Sequence, residues 1–215
     1  MAGELKKVPQ VVINRLPRYY RYLGELLLQG ITKISSTELS TRMGVTASQI
    51  RQDFNFFGGF GQQGYGYNIE YLYNEIAQIL GLNSGNTMII VGAGNFGRAI
   101  ANHSGFEKRG FKTVALFDNS PDTIGTEIGG LKVLPASDIE EFVMNNRVDI
   151  GVLAVPKREV HDLAHRLVEC GIKALLNFSY SELNLPEGIA VENVHLSDPL
   201  MTLSYKIRQS DMESD

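Results

Sequence analysis

The stretch TMIIVGAGNFG, residues 87–97, decides the fold. Its first half is an apolar run of strand length. Its second half is a glycine pattern, Gly92-Ala93-Gly94-Asn95-Phe96-Gly97, opening a helix-like segment. In such a pattern the first glycine permits a tight turn and the second lets a pyrophosphate approach the backbone. The third lets helix and strand pack closely, with the helix N-terminus facing the phosphates. Alone, G-x-G-x-x-G is a weak signal in a chain with 22 glycines. Here a strand precedes it, a helix follows it, and Asp118 ends the next apolar run, TVALFD, twenty-one positions beyond Gly97. An acid at that place binds the adenosine ribose hydroxyls and repels a 2′-phosphate, which favours NAD over NADP. The plainer alternative is a structural cluster of turn glycines followed by a strand-end Asp in a loop.

Working outward from this stretch, IGVLAV (150–155) and KALLNF (173–178) are further short apolar runs, with helix-like segments at 95–105, 137–146 and 157–170. That alternation predicts an α/β domain, a parallel sheet with helices on both faces. Val155 and Pro156 follow one strand and Phe178 ends another, so they face the crevice at the strand ends, where such folds hold their ligand. An apolar lining there favours the neutral NADH ring over cationic NAD+, because burying a charge costs desolvation. Asp198-Pro199 reads as a helix start with Pro at the first helical position. Leu200, Leu203 and Ile207 then form one apolar stripe, to be buried on its own body or on a partner chain.

Upstream of LNSGN, residues 82–86, the period is helical. Pro9 to Leu28 contains LPRYYRYLGELLL with apolar residues at helical spacing, stopped by Gly30. Ser35-x-x-Glu38 and Thr46-x-x-Gln49 are both capping-box starts, the second for a helix through Ile50, Phe54 and Phe57 to Gly58. Five glycines between 58 and 66, with Tyr65 and Tyr67 interleaved, predict a hairpin or wing. A further helix spans Ile69 to Leu80. The segment ELSTRMGVTASQIRQDF (38–54) has the helix-turn-helix pattern, its second helix offering Ala47, Ser48, Arg51 and Gln52 to a major groove. Residues 1–52 carry eight basic residues against three acids, and residues 53–215 carry twelve against twenty-one. A basic front on an acidic body suits one end meeting a polyanion. Arg15 and Arg18 of the first helix, and Gln62, Gln63 and Tyr65 of the wing, complete the expected double-stranded DNA contacts. A plain helical hairpin is the alternative.

The combination RLPRYYRYL, SSTELS, IRQDFNFFGGFGQQGYGYN, VGAGNFG, FD at 117–118, IGTEIGG at 124–130 and LLNF at 175–178 resembles the Rex family of redox-sensing transcriptional repressors over nearly the whole chain. The resemblance implies a winged helix-turn-helix domain (1–82), a Rossmann-type NAD(H)-binding domain (86–196) and a C-terminal helix and tail (197–215), the helix being swapped across a homodimer. It further implies binding to a palindromic operator, release by NADH, and Tyr205 of the partner's swapped helix as a wall of the nicotinamide pocket. Two departures stand out. Similar members often carry Lys or Arg between the wing glycines, where this chain has Gln62 and Gln63, which leaves minor-groove electrostatics weaker or supplied by neighbours such as Arg51. His103 and His195 stand near positions where some relatives place polar residues on the nicotinamide side; each reads as a surface or satisfied histidine.

An enzyme is the competing class, as a small NAD-dependent dehydrogenase; a coenzyme A-binding Rossmann-like protein is another. At 215 residues and 23.8 kDa, the nucleotide fold leaves no second substrate domain. His161 and His165 lie i,i+4 but lack a third ligand, so they read as a solvated face rather than a metal site. Neither catalytic residues nor metal ligands are expected. Hydrophobic residues at 43% and charged residues at 20% exclude wholesale disorder. No apolar run approaches the roughly 20 residues that span a bilayer. MAGELKK has no apolar signal region, and the single Cys170 can form no internal disulfide. The expectation is a cytoplasmic protein without a membrane partner.

Overall fold

The computed structural model describes residues 8–57, the backbone of 61–62, and residues 66–212. Gln63 and Tyr65 lie outside the described residues, as does the side chain of Gln62. The chain divides into two units between Ser84 and Gly85.

The first unit contains α1 (Gln10–Ile13), α2 (Leu16–Leu28), β1 (Lys33–Ile34), α3 (Ser36–Met43), α4 (Ala47–Asn55), β2 (Gly61–Gln62), β3 (Gly66–Asn68) and α5 (Ile69–Ile79). The helical stretch from Pro9 to Leu28 divides at Asn14 and Arg15. Pro17 has no N–H to donate to Ile13, so the helix restarts with proline in its first turn, where donors are unneeded. Ser35 forms the full capping box with Glu38, and Gly44 ends α3 in the left-handed region at φ 64°. Thr46 caps α4 by accepting from the Gln49 N–H at 3.1 Å. The reciprocal half of that box is absent, because the Gln49 side chain donates to Asp53 at 2.9 Å instead. The helix also ends at Asn55, short of Phe57.

Helices of eight and nine residues are too short to persist alone, so packing decides this unit. Leu16, Tyr19, Leu23 and Leu26 form one buried stripe of α2 against Leu39 and Met43 of α3, Ile50 and Phe54 of α4, and Ile69, Leu72 and Ile76 of α5. Each such side chain contributes about 1.5–3 kcal/mol on burial. Strands β1, β3 and β2 pair antiparallel in that order, with Gly61 opposite Tyr67 and Gln62 opposite Gly66. Two helices in a helix-turn-helix followed by this hairpin make a winged helix.

At the centre of the unit is a charge the sequence reading missed. Asp53 of α4 is fully buried. Arg15 grips it with two hydrogen bonds of 2.7 Å, the Tyr19 hydroxyl donates at 2.7 Å, and Gln49 adds the bond above. Burial opposes the charge, but these donors outweigh it and hold the carboxyl below its ordinary range. The same burial, with the Asp53 charge, pushes the Tyr19 phenol up.

The second unit contains β4 (Asn86–Val91), α6 (Asn95–Ala101), β5 (Phe111–Asp118), β6 (Glu127–Ile128), β7 (Leu131–Pro135), α7 (Ile139–Asn145), β8 (Ile150–Leu153), α8 (Lys157–Glu169), β9 (Ala174–Asn177), β10 (Ala190–Asn193) and α9 (Ser197–Met212). The sheet order is β10-β9-β8-β4-β5-β7-β6, parallel except for the β6–β7 pair. Leu153, Val91 and Phe117 align across β8, β4 and β5, and Asn177 pairs with Leu153, so four strand ends open onto one crevice. One face buries Ile89, Val91 and Phe117 under α7 and α8; the other buries Ile90, Leu116 and Val152 with Ile100 of α6. This is a Rossmann-type sheet. Strands β6, β7 and β10 add to the four runs expected, and α6 and α7 are shorter than their predicted segments. In α9 the proline is third rather than first, still within the turn that needs no donor.

Two measurements test the Asp53 cluster. Asp53→Ala leaves the Tyr19 hydroxyl without its acceptor and Arg15 without its counter-ion. Arg15 is 23% exposed and can rehydrate in part, so the expected loss is about 2–3 kcal/mol of stability in thermal or denaturant unfolding. Because the folded Asp53 carboxyl is depressed, its stabilisation is present above the unfolded value near ~4 and lost as pH falls below it. The acid limb of the stability curve is therefore shallower in Asp53→Asn than in the parent; identical limbs contradict the assignment.

Candidate functional site

The site begins at a steric constraint. Gly92 leaves β4 at φ 99°, and a Cβ there would stand 2.5 Å from the Ala154 carbonyl oxygen. A Cβ on Gly97 would collide with the Gly92 carbonyl oxygen. Only glycines allow α6 to start this close to the sheet. Gly94 differs: it caps α6 at φ −69° with nothing within 4 Å of its Cβ direction. The space beside it is open at the positive end of a helix.

That space belongs to a cleft of about 380 Å³ lined by Gly92, Gly94, Asp118, Val155, Pro156 and Glu159, among others. Asp118 stands at its rim with both oxygens oriented: Oδ2 accepts from the Ala93 N–H at 2.6 Å and Oδ1 from the Ser120 N–H at 2.7 Å. Each oxygen keeps a lone pair for a ribose hydroxyl. Asn119, Ala136 and Ala154 line the same cleft and were missed. Asn119 directly follows Asp118, a signal that was available. Phe96, at the start of α6, meets Phe178 beyond β9 with ring centroids 4.7 Å apart. Asn95 and Gly97 lie in the same first turn of α6. Tyr205 is apart from all of these: it is on α9 and 68% exposed.

In the first unit, Ser48, Arg51 and Gln52 are exposed on α4 and Ala47 is half-buried at its start. Arg51 donates to Ser36 Oγ at 3.0 Å, a surface contact that releases easily. Arg15, expected among the DNA contacts, has its guanidinium engaged by Asp53. Arg18 is partly committed too, donating to the Met43 carbonyl. His161 is more than a solvated residue, with Nε2 2.9 Å from Ser181 Oγ. Among the described residues, no group of three or more His, Cys, Asp or Glu could hold a metal ion, and no helix is long and apolar enough to cross a membrane.

A family described as "Putative DNA-binding protein N-terminus" matches residues 7–55, and one described as "CoA binding domain" matches residues 83–180. The redox-sensing transcriptional repressor Rex of Thermoanaerobacter pseudethanolicus is 52% identical over 206 residues, 96% of this chain and 92% of that protein. The chain belongs to the Rex family of redox-sensing transcriptional repressors. The Rex repressor of Clostridioides difficile is 52% identical over 204 residues, 95% of this chain and 97% of its own. Solved structures of the Rex-family repressor RSP agree in fold. RSP in complex with beta-NAD+ and operator DNA is 51% identical with a TM-score of 0.89, covering 96% of this chain and 95% of that one. RSP in complex with beta-NADH is 48% identical with a TM-score of 0.91, covering 97% and 98%.

For this Rex-family chain the glycines separate by role. Gly97→Ala forces α6 off the sheet and is expected to lower stability by on the order of 3 kcal/mol. Gly94→Ala fits the backbone and is expected to leave the unfolding midpoint unchanged while filling the open space at the N-terminus of α6, so that dinucleotide binding falls at least tenfold. Calorimetric unfolding and ligand titration on both variants check this. A Gly94→Ala protein that binds as the parent does places the phosphates elsewhere.

Proposed function

We propose that this protein is a homodimeric repressor that binds a palindromic operator and is released by NADH. The observation that carries the reading is the pairing of the Gly92–Gly97 turn with an oriented Asp118 at one cleft, in a chain of the Rex family. The pyrophosphate lies at Gly94 and the N-terminus of α6, and the adenosine ribose at Asp118. A dinucleotide thus anchored extends its other ring toward Val155, Pro156, Phe178 and Phe96. NADH and NAD+ differ there by one positive charge, and the apolar walls favour the reduced form. The same carboxylate argues against coenzyme A, whose adenosine ribose carries a phosphate that Asp118 repels. The relatives are regulators, which fits a chain whose cleft needs no catalytic group.

The DNA face comprises Ala47, Ser48, Arg51 and Gln52 of α4, with Arg18; the contacts expected of Gln62, Gln63 and Tyr65 fall on side chains outside the described residues. Arg15 is left out. The dimer rests on α9, which buries none of its residues on its own chain. Leu200, Met201, Leu203, Tyr205 and Ile207 are 52–68% exposed, an apolar surface that needs cover. A wholly apolar cavity of about 320 Å³, lined by Met88, Ile150, Val152 and Leu176 on one face of the sheet, needs it as well. A second copy supplies both, its swapped α9 bringing Tyr205 to the nicotinamide end of the cleft. Closure on NADH then separates the two α4 helices beyond the operator half-site spacing.

Titrating the protein onto a palindromic duplex, alone and with NAD+ or NADH, tests the whole reading. A hundredfold loss of DNA affinity with NADH corresponds to about 2.7 kcal/mol of coupling, and linkage demands the same loss of NADH affinity on operator. Operator binding indifferent to NADH would falsify it. Arg51→Ala is expected to reduce operator discrimination by about 1–3 kcal/mol with NADH binding intact. Asp118→Ala is expected to weaken NADH and relax the rejection of NADPH; a parent protein that takes both equally refutes the role of Asp118. Sedimentation should give a dimer for the parent and monomers for Leu203→Glu/Ile207→Glu.

A further inference from the structure

Among the described residues one non-glycine has a positive φ: Tyr180, at φ 57°. Such a conformation crowds a side chain against its own backbone and persists only where the surroundings dictate it. Here they do. Asn177, at the end of β9, is 1% exposed. Its Oδ1 accepts from the Ser179 N–H at 3.0 Å and the Ser179 hydroxyl at 2.7 Å. Its Nδ2 donates to the Ser181 carbonyl at 2.6 Å and to Asn193 Oδ1 at 2.8 Å. His161 of α8 meets Ser181 Oγ at 2.9 Å. The main chain is tied on both sides, Phe178 N–H to the Leu153 carbonyl at 3.0 Å and Val194 N–H to the Asn177 carbonyl at 2.9 Å. The turn over 177–181 is thus held from β8, α8 and β10 together.

Two aromatic rings leave this turn with different neighbours. Phe178 meets Phe96 of the dinucleotide loop. Tyr180, 52% exposed, meets His195 with ring centroids 5.7 Å apart. His195 lies two residues before α9, and its carbonyl accepts the Asp198 N–H at 3.3 Å in the first turn of that helix. The solvent-exposed ring serves neither core, yet the residues on both sides of it, Ser179 and Ser181, are tied to Asn177. We infer that this turn links the nicotinamide end of the cleft to α9, and that Tyr180 is the positioning residue of the link through its contact with His195. The inference rests on the NADH-released repressor reading above. A ligand that displaces Phe96 and Phe178 moves a rigid turn, and the turn moves Tyr180, His195 and the root of the helix that reaches the second copy. The coupling travels through a packed, hydrogen-bonded path and requires no contact between Tyr180 and the ligand.

Glycine adopts φ 57° without penalty, so Tyr180→Gly removes the ring and keeps the turn; Tyr180→Phe keeps the ring. Each variant is titrated, as the full-length protein, with operator duplex in the absence and presence of NADH, and with NADH alone. For Tyr180→Gly we expect operator and NADH affinities each within about threefold of the parent. The loss of operator affinity caused by NADH should shrink from roughly a hundredfold to below about tenfold. Tyr180→Phe is expected to restore the parent response. A Tyr180→Gly protein that responds to NADH as the parent does overturns the inference alone. So does a Tyr180→Phe protein as unresponsive as the glycine variant. A parent whose operator binding ignores NADH overturns the repressor reading, and this link with it.

Discussion

The carbonyl oxygen of Gly92 stands where a methyl group on residue 97 would be, and the second unit is arranged around that contact. It lets α6 begin against β4, which brings the helix N-terminus to the end of the central strand. It leaves open space at Gly94 and places the Ala93 N–H where Asp118, arriving on the neighbouring strand, accepts it. Parallel pairing then aligns β5, β4, β8 and β9 so that their ends form one wall. The proposed binding site thus rests first on a backbone-to-backbone approach distance, and on the Asp118 carboxylate that this approach orients.

How much of this was legible depends on the range of the forces involved. The glycine turn and the place of Asp118 are legible because they are local: a tight turn, a close approach, an acid at a strand end. The Ser35 box was readable for the same reason. The Thr46 box was only half right, because a tertiary partner, Asp53, competes for the Gln49 side chain. The division before Leu16 has a local marker, Pro17, set within a strong apolar period. Strands β6 and β10 escaped because short edge strands with exposed polar residues show no sustained apolar run. The two histidines of α8 show the same limit, since only the folded chain brings Ser181 to His161.

Arg15 and Asp53 mark where the sequence says least. A basic residue near a helix-turn-helix suggests a DNA contact, while the structure gives its guanidinium a buried partner on α4. The period nevertheless held a clue. Asp53 follows Ile50 by three and precedes Phe54, so it sits on the face that packs inward. A carboxylate on a buried face requires a cation, and Arg15 is the one that reaches it.

The anchoring of α4 has an evolutionary consequence. Ile50, Asp53 and Phe54 fasten the helix from behind, while Ser48, Arg51 and Gln52 face away from that attachment. Residues on the outward face can therefore be exchanged without disturbing how the helix is seated. With α4 as the proposed DNA face, such a scaffold can acquire a new target sequence by drift on one surface while the other stays under selection for folding. Among relatives, the outward positions should diversify with their binding sites and the Arg15–Asp53 clamp should not.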